Sequence, residues 1–362
     1  MEVYMNPTLQ TSSGSRLWHL DLLRILAAFG VVVLHTTPLP DVLGGVNNAQ
    51  WQAAVSFSIL FRWCVPVFFM ISGALFLAPE RSFSMRRLYR KSIPRIAVSF
   101  LFWSAVYAVV HCLRTGKGKW TFLNQLLRGH FHMWYLFALL GLYMLTPLLR
   151  EMTKNRKLTG YFVLLGLVFT FFMPRFFSVL FLFPLPHDDV FASLRSAVTQ
   201  LNPLGGIYPV YYFVLGHYLC TCTLKKTQRC LLYVSGIAGC LLSMGLTVWH
   251  SVSMQEISGQ FYDISSLAAL FMAAAVFVFF RQHFSDFHPS ARAARIVTEL
   301  SACSFGVYLL HPLLLDLLKP ALPQLPMMIP FAIAAWALIV CLLALPVCLL
   351  IRRIPLLGKN VL

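Results

Sequence analysis

Ionisable residues lie in the first apolar stretch of the sequence, which runs from Leu17 to His35. This stretch is long enough to cross a bilayer, yet it contains Asp21, Arg24 and His35. An ionisable group in the hydrocarbon core is costly unless it is paired or faces a water-filled cavity, so these groups need a physical reason. Asp21 and Arg24 are three residues apart, which allows them to form an ion pair on one helix face.

Arg24 and His35 are eleven residues apart. Eleven residues make about three helical turns, so both side chains share a face and lie about 16 Å apart along the axis. One helix would then present a cation near one membrane surface and an imidazole deeper inside. The imidazole could act as a general base. The structural alternative is an ion-paired Arg24 and a histidine that is bonded to a neighbouring helix.

A second histidine, His311, follows Tyr308 in the apolar stretch that starts at Ser301. We place the start of a helix at Ser301 and predict that this helix runs in the same direction as the first. His35 and His311 are then expected at a similar depth, where they would share a polar cavity. Tyr308 or His311 could reach that cavity as an oxyanion stabiliser, but the sequence assigns this role to neither.

Other polar residues have structural explanations. Arg62 and Ser72 lie in the second predicted helix, and the Ser72-Gly73 pair favours close helix packing over a nucleophilic serine. His132, Trp134 and Tyr135 open the fourth predicted helix, where a belt of amphipathic rings at the membrane boundary explains them.

Cations cluster between the second and third predicted helices. Six of them lie between Arg81 and Arg95, and Arg87 and Arg90 have the i, i+3 spacing of one helix face. Membrane orientation explains part of this charge. A phosphate-bearing anionic ligand explains the clustering better, because guanidinium groups bind phosphate through paired hydrogen bonds.

Composition places the chain among membrane proteins. It has 362 residues, of which 59% are hydrophobic and 11% charged, with a mean hydropathy of +0.73. The net charge of +17 does not indicate nucleic-acid binding, because the basic residues fall in short segments between apolar stretches. The nine cysteines lack metal-ligand spacing and read as packing residues, so we predict no metal.

Ten transmembrane helices are predicted, which defines an all-α integral membrane bundle. We place them at about 17–37, 56–78, 93–113, 132–149, 160–183, 207–222, 230–250, 263–281, 301–318 and 328–351. Residues 1–16 and 352–362 would be cytoplasmic segments that flank one transmembrane domain, 17–351. The sixth helix is short and contains Pro209 and His217, so we expect it to be broken or re-entrant.

The distribution of cations supports this topology. Of the 29 Lys and Arg residues, 20 fall on the predicted cytoplasmic side and 7 on the outer side, which favours both termini inside. The basic outer segment 114–131 also carries Trp120 and several leucines, and reads as an interfacial amphipathic segment. The amino terminus has no cleavable signal, so the first helix should remain as an anchor.

Five stretches in this order and spacing resemble membrane-bound acyltransferase family 3, ten-helix proteins that acylate bacterial surface glycans. They are Leu20 to Arg24 with His35, Phe68 to Gly73, Arg87 to Arg90, Met133 to Leu136 and Ser304 to His311. The similarity extends from about Arg16 to Arg352. The chain is similar to the compact members, among them an O-acetyltransferase of enterobacterial common antigen, that lack an additional SGNH-type esterase-like domain.

The resemblance implies a catalytic role for His35 and a role in activity, through the acyl donor, for Arg24, Arg87 and Arg90. It implies an enzyme of the bacterial inner membrane that takes an acyl group from cytoplasmic acyl-CoA and transfers it to a hydroxyl of a lipid-linked or cell-surface glycan. The expected acyl group is acetyl. The main alternative is a transporter or flippase for a lipid-linked saccharide or organic anion, in which Arg24 and His35 bind substrate or couple protons. A sensor without chemistry would explain the polar residues poorly.

Overall fold

The computed structural model describes residues 16–38, 43–116, 118–180, 193, 196, 208–318, 329–355, 358 and 361. Within these ranges the chain is helical and forms no strand. The helices are α1 (Trp18–Thr36), α2 (Ala49–Ile59), α3 (Cys64–Phe76), α4 (Ile93–Thr115), α5 (Lys119–Arg128), α6 (Trp134–Thr153), α7 (Arg156–Leu165), α8 (Met173–Leu180), α9 (Tyr208–Thr221), α10 (Lys226–Met254), α11 (Leu267–Phe284), α12 (Ala291–Leu318) and α13 (Ile329–Arg353). Nine helical stretches in the described ranges are long and apolar enough to cross a membrane, which confirms the predicted fold class.

The ten predicted spans correspond to these nine stretches and to α9, which has 14 residues. The expected break in α9 is not found in its described residues. Pro209 lies in the first turn of α9, where proline fits a helix because the amide hydrogen of that position has no intrahelical acceptor. The fifth predicted span, 160–183, is helical as far as Leu180, where α8 ends, and most of the segment between α8 and α9 lies outside the described residues.

Two boundaries differ from the prediction for a clear reason. α12 begins at Ala291, ten residues before the predicted start at Ser301, because charged residues such as Arg292 and Arg295 continue the helix beyond the apolar stretch. The second predicted span consists of α2 and α3, and Arg62 lies in the turn between them rather than inside a helix. Hydropathy marks the apolar part of a helix and not its hydrogen-bonded ends.

The chain folds into two compact units that alternate along the sequence. The first is drawn from 1–36, 80–147 and 286–362, and it includes α1, α4, α5, α12, α13 and most of α6. The second is drawn from 37–79 and 148–285, and it includes α2, α3 and α7 to α11.

Small residues allow α3 and α9 to pack backbone to backbone in the second unit. A Cβ atom on Gly73 would lie 1.6 Å from the carbonyl oxygen of Phe213, and one on Gly216 would lie 2.1 Å from that of Met70. The neighbouring Ser72 is fully buried, and its hydroxyl donates to the carbonyl oxygen of Phe68 at 2.6 Å. These contacts confirm the packing interpretation of the Ser72-Gly73 pair.

A tight turn in the first unit connects α5 to α6. Gly129 has a φ of 72°, and a Cβ atom there would lie 2.7 Å from the ring of Phe100, so the turn requires glycine. A short 3₁₀ turn, Phe131–Met133, then leads into α6. The preceding α5 exposes Trp120 and Leu127 and buries none of its residues, as expected for an amphipathic interfacial segment.

Candidate active site

Asp21 is the centre of a buried ionic network at the start of α1. Its carboxylate accepts from Arg16 Nε at 2.6 Å and from Ser301 Oγ at 2.5 Å, and lies 3.5 Å from Arg24 Nη1. Arg24 Nη1 also donates to Ser301 Oγ at 3.2 Å, and Arg16 donates to Thr298 Oγ1 at 2.5 Å. Asp21 and Arg24 are buried, with exposures of 7% and 6%, and each of these charges has the close partner that a buried charge requires. The predicted Asp21–Arg24 pair is confirmed.

The same contacts show that α1 and α12 run in the same direction. Arg24 contacts Ser301, and eleven residues further along α1, His35 contacts His311. This parallel arrangement confirms that the two histidines lie at one level. His35 is in the last turn of α1, at the end opposite the ionic network, which agrees with its place near the end of the predicted helix 17–37. His311 is about twenty residues into α12 because that helix starts earlier.

The His35–His311 contact defines which ring nitrogens carry protons. His311 is fully buried, and its Nδ1 lies 3.2 Å from the carbonyl oxygen of Val307, which can only accept. Nδ1 of His311 is therefore the donor, and in the neutral ring Nε2 is the acceptor. That Nε2 lies 3.4 Å from His35 Nδ1, which must then donate. A neutral His35 consequently has an unprotonated Nε2, the form that a general base requires.

Aromatic rings surround this histidine pair. Phe131 stacks on His35, with ring centroids 5.1 Å apart and planes inclined by 23°. Tyr308 lies one turn before His311 on α12, with a centroid separation of 6.2 Å. Tyr135 packs against Tyr308 at 5.6 Å, and Trp134 is 39% exposed at the start of α6. The site thus combines half-buried His35 with largely apolar surroundings, in which electrostatic interactions are stronger than in water.

His132 is a member of this cluster that the sequence analysis did not identify. Its exposure is 2%, and its ring centroid is 5.5 Å from that of His311, so the interpretation as part of a boundary belt was wrong for this residue. His132 Nδ1 lies 2.9 Å from Nδ1 of His130, whose ring stacks on Tyr107 at 4.2 Å. The sequence did offer a signal, since two histidines separated by a single residue directly precede a helix.

Arg87 and Arg90 are exposed at the start of the helical stretch Met85–Thr115. Ser84 caps this stretch by accepting from the backbone N–H of Arg87 at 3.3 Å, and a π-helical turn, Leu88–Ser92, follows. The amino-terminal end of a helix carries partial positive charge, so the cations there repel both one another and the helix dipole. Binding of an anion would relieve both repulsions.

Arg62 lies in the second unit, as does Ser72. The guanidinium of Arg62 is 4.2 Å from the ring centroid of Tyr262, a cation–π contact. Ser72 donates its hydroxyl proton within α3, as described above. Both residues therefore have structural contacts inside their own unit. Among the residues that the structure describes, no group of three or more His, Cys, Asp or Glu side chains has the arrangement of a metal site.

The fold and this cluster define an integral membrane protein with an imidazole site on parallel helices. A family model described as an acyltransferase domain, that of acyltransferase family 3, matches residues 17–353. The chain belongs to this family and is a membrane acyltransferase. No curated protein and no solved structure gives a significant match to the chain.

Proposed function

We propose that this protein is an O-acyltransferase of the bacterial inner membrane. It takes an acetyl group from cytoplasmic acetyl-CoA and transfers it to a hydroxyl of a lipid-linked or cell-surface glycan. The observation that carries the proposal is the His35–His311 pair, because it leaves His35 Nε2 able to accept a proton. Family membership supplies the reaction class, acyl transfer.

The proposed reaction is balanced by one proton that passes through His35. Nε2 of His35 accepts the proton of the acceptor hydroxyl as its oxygen attacks the thioester carbon. The new carbon–oxygen bond forms and the carbon–sulfur bond breaks. His35 then gives this proton to the departing thiolate, which restores the neutral ring. An acyl-His35 intermediate is the alternative route for the same overall transfer.

The donor would bind through its phosphates at Arg87 and Arg90. Both side chains are exposed in a cluster of cations at a helix start, an arrangement that suits a polyanion. Arg24 is buried beside Asp21 and eleven residues from His35, about 16 Å along α1. We propose that Arg24 supports the donor site by holding α1 in register with α12, in addition to the role in acyl-donor use that the family resemblance implies.

The decisive experiment replaces His35 by Ala in protein purified into nanodiscs. Transfer of labelled acetyl from acetyl-CoA to a membrane glycan fraction is measured, with acetyl-CoA binding as the folding control. We expect a loss of about 10²-fold or more in turnover, because a general base contributes at least that factor, while binding persists. The matched control is His283→Ala, which removes an exposed histidine at the end of α11 and should leave turnover unchanged. Near wild-type transfer by His35→Ala would refute the mechanism, and glycan movement without acyl transfer would favour the transporter.

A further inference from the structure

His132 carries a buried polar atom that the mechanism above does not use. Its side chain is 2% exposed, and Nε2 has no hydrogen-bond partner within the part of the chain that the structure describes. An unpaired buried ring nitrogen costs free energy, so its presence beside the His35–His311 pair indicates that something else pairs with it. A ligand oxygen in the active site would meet that requirement.

The backbone around His132 is held in place by several contacts. Tyr308 donates its hydroxyl to the carbonyl oxygen of His132 at 2.5 Å, which ties the turn to α12. Tyr107 on α4 donates to the carbonyl oxygen of Leu309 at 2.7 Å, and its ring stacks on His130. The ring of His132 itself packs edge-on against Tyr107 and Tyr308, with centroid separations of 5.4 and 5.2 Å, so the imidazole is positioned before any substrate arrives. Such preorganisation is what makes a hydrogen-bond donor effective in catalysis.

The other candidates for oxyanion stabilisation have different hydrogen-bond partners. The hydroxyl of Tyr308 donates its hydrogen bond to the carbonyl oxygen of His132, and Nε2 of His311 accepts a hydrogen bond from His35. Neither group has the required donor directed at a substrate. His132 lies at the same site, with its ring 5.5 Å from that of His311, and the adjacent Phe131 stacks on His35.

We infer that His132 Nε2–H is the donor that stabilises the oxyanion formed during acyl transfer, which rests on the function proposed above. In this arrangement His130 Nδ1–H donates to His132 Nδ1, so the single proton of neutral His132 is on Nε2. Attack of the acceptor oxygen moves the carbonyl electron pair of the thioester onto its oxygen, and Nε2–H donates to that oxygen. When the carbon–sulfur bond breaks, the carbonyl re-forms and His132 keeps its proton.

Two substitutions separate this role from the alternatives. His132→Gln places an amide N–H near the position of Nε2, whereas His132→Asn places one near Nδ1 and loses the distal donor. In nanodiscs with acetyl-CoA, His132→Asn should lower kcat about 10²- to 10³-fold, the usual effect of removing one oxyanion donor. His132→Gln should retain at least about ten times the kcat of His132→Asn, and the KM for acetyl-CoA should stay within about threefold for both.

The outcomes distinguish the inference from the proposed function. Wild-type protein that transfers no acyl group from acetyl-CoA, propionyl-CoA or succinyl-CoA would remove both. An active wild type with an equally active His132→Asn variant would remove the inference alone. Equal losses in the two variants would also overturn it, because glutamine can donate a hydrogen bond but cannot act as a base. A lower melting temperature with unchanged kcat would assign His132 a structural role only.

Discussion

His311 determines which nitrogen of the neutral His35 ring carries the proton. A carbonyl oxygen at Val307 accepts from one nitrogen of His311, and the other nitrogen accepts from His35. This chain of two hydrogen bonds selects one tautomer of His35 out of two, and it holds the ring against rotation. We therefore propose that His311 is a positioning residue and that His35 is the group that exchanges a proton with the substrate.

His311→Gln and His311→Leu test this positioning role. Glutamine offers an oxygen that can accept from His35 Nδ1–H, whereas leucine offers none, so we expect His311→Leu to lose about tenfold or more in kcat and His311→Gln to lose less. Turnover and melting temperature are measured for both variants. If both variants lost melting temperature and kept wild-type kcat, the contact with His35 would have no role in turnover. His35→Ala should remain the more damaging change.

Helices α1 and α12 are joined by the ionic network at one end and by the histidine pair at the other. The carboxylate of Asp21 forms ion pairs with Arg16 and Arg24 and accepts a hydrogen bond from Ser301. All these partners lie within the first unit. Because the helices are parallel, a shift of one relative to the other would separate both sets of contacts together. The network therefore sets the register that brings His35 to His311.

Asp21→Asn tests the importance of this register. The change leaves Arg24 buried without a full counter-charge, and breaking a buried pair in this way costs about 3–5 kcal/mol. The measurements are the melting temperature in nanodiscs and the rate of acyl transfer. The matched control is Glu151→Gln, which breaks the Lys154–Glu151 pair of the same i, i+3 spacing, with side chains 65% and 71% exposed. Exposed pairs contribute about 0–1 kcal/mol, so Glu151→Gln should lower the melting temperature much less than Asp21→Asn. An equal decrease for both variants would contradict a special role of the Asp21 network.

Orientation in the membrane is a property of the whole chain. The net charge of +17 is spread unevenly over the segments between helices, and the cations favour the side that we assign to the cytoplasm. That assignment places Arg87 and Arg90 where acyl-CoA is available. Donor binding at Arg87 and Arg90 therefore depends on topology as well as on local charge.

Reporter fusions after Glu80 test this topology. We expect a cytoplasmic location, because the six cations that follow between Arg81 and Arg95 oppose translocation. A reporter that is active only outside the cytoplasm would invert the predicted topology and separate the basic cluster from the CoA pool.

Replacement of Arg87 and Arg90 by Gln tests donor binding directly. We expect weaker CoA binding and a smaller dependence of the remaining affinity on salt, because two screened charge pairs with phosphate are lost. The matched control is the double variant of Arg292 and Arg295, which are exposed with the same i, i+3 spacing at the start of α12. Equal effects of the two double variants on calorimetric CoA binding would mean that only general positive charge matters.

The sequence by itself determined the helical membrane fold and the candidates on the first helix. Apolar stretches of span length have few alternatives in a bilayer, since every backbone polar group must be satisfied within a helix. The spacing of Asp21, Arg24 and His35 follows from helix geometry, so their pairing and shared direction could be predicted. The start of α12 could not, because hydropathy does not report where helical hydrogen bonds begin.

The tertiary structure decided which groups meet. His35 contacts His311, which lies 276 residues later in the sequence, and Asp21 accepts a hydrogen bond from Ser301, which lies 280 residues later. The tautomer of His35 depends on His311 and the carbonyl of Val307, which belong to another helix. The burial of His132 depends on the packing of Tyr107 and Tyr308 around its ring. A ring at a helix start reads as a boundary residue until the surrounding helices enclose it, and only their packing made His132 part of the site.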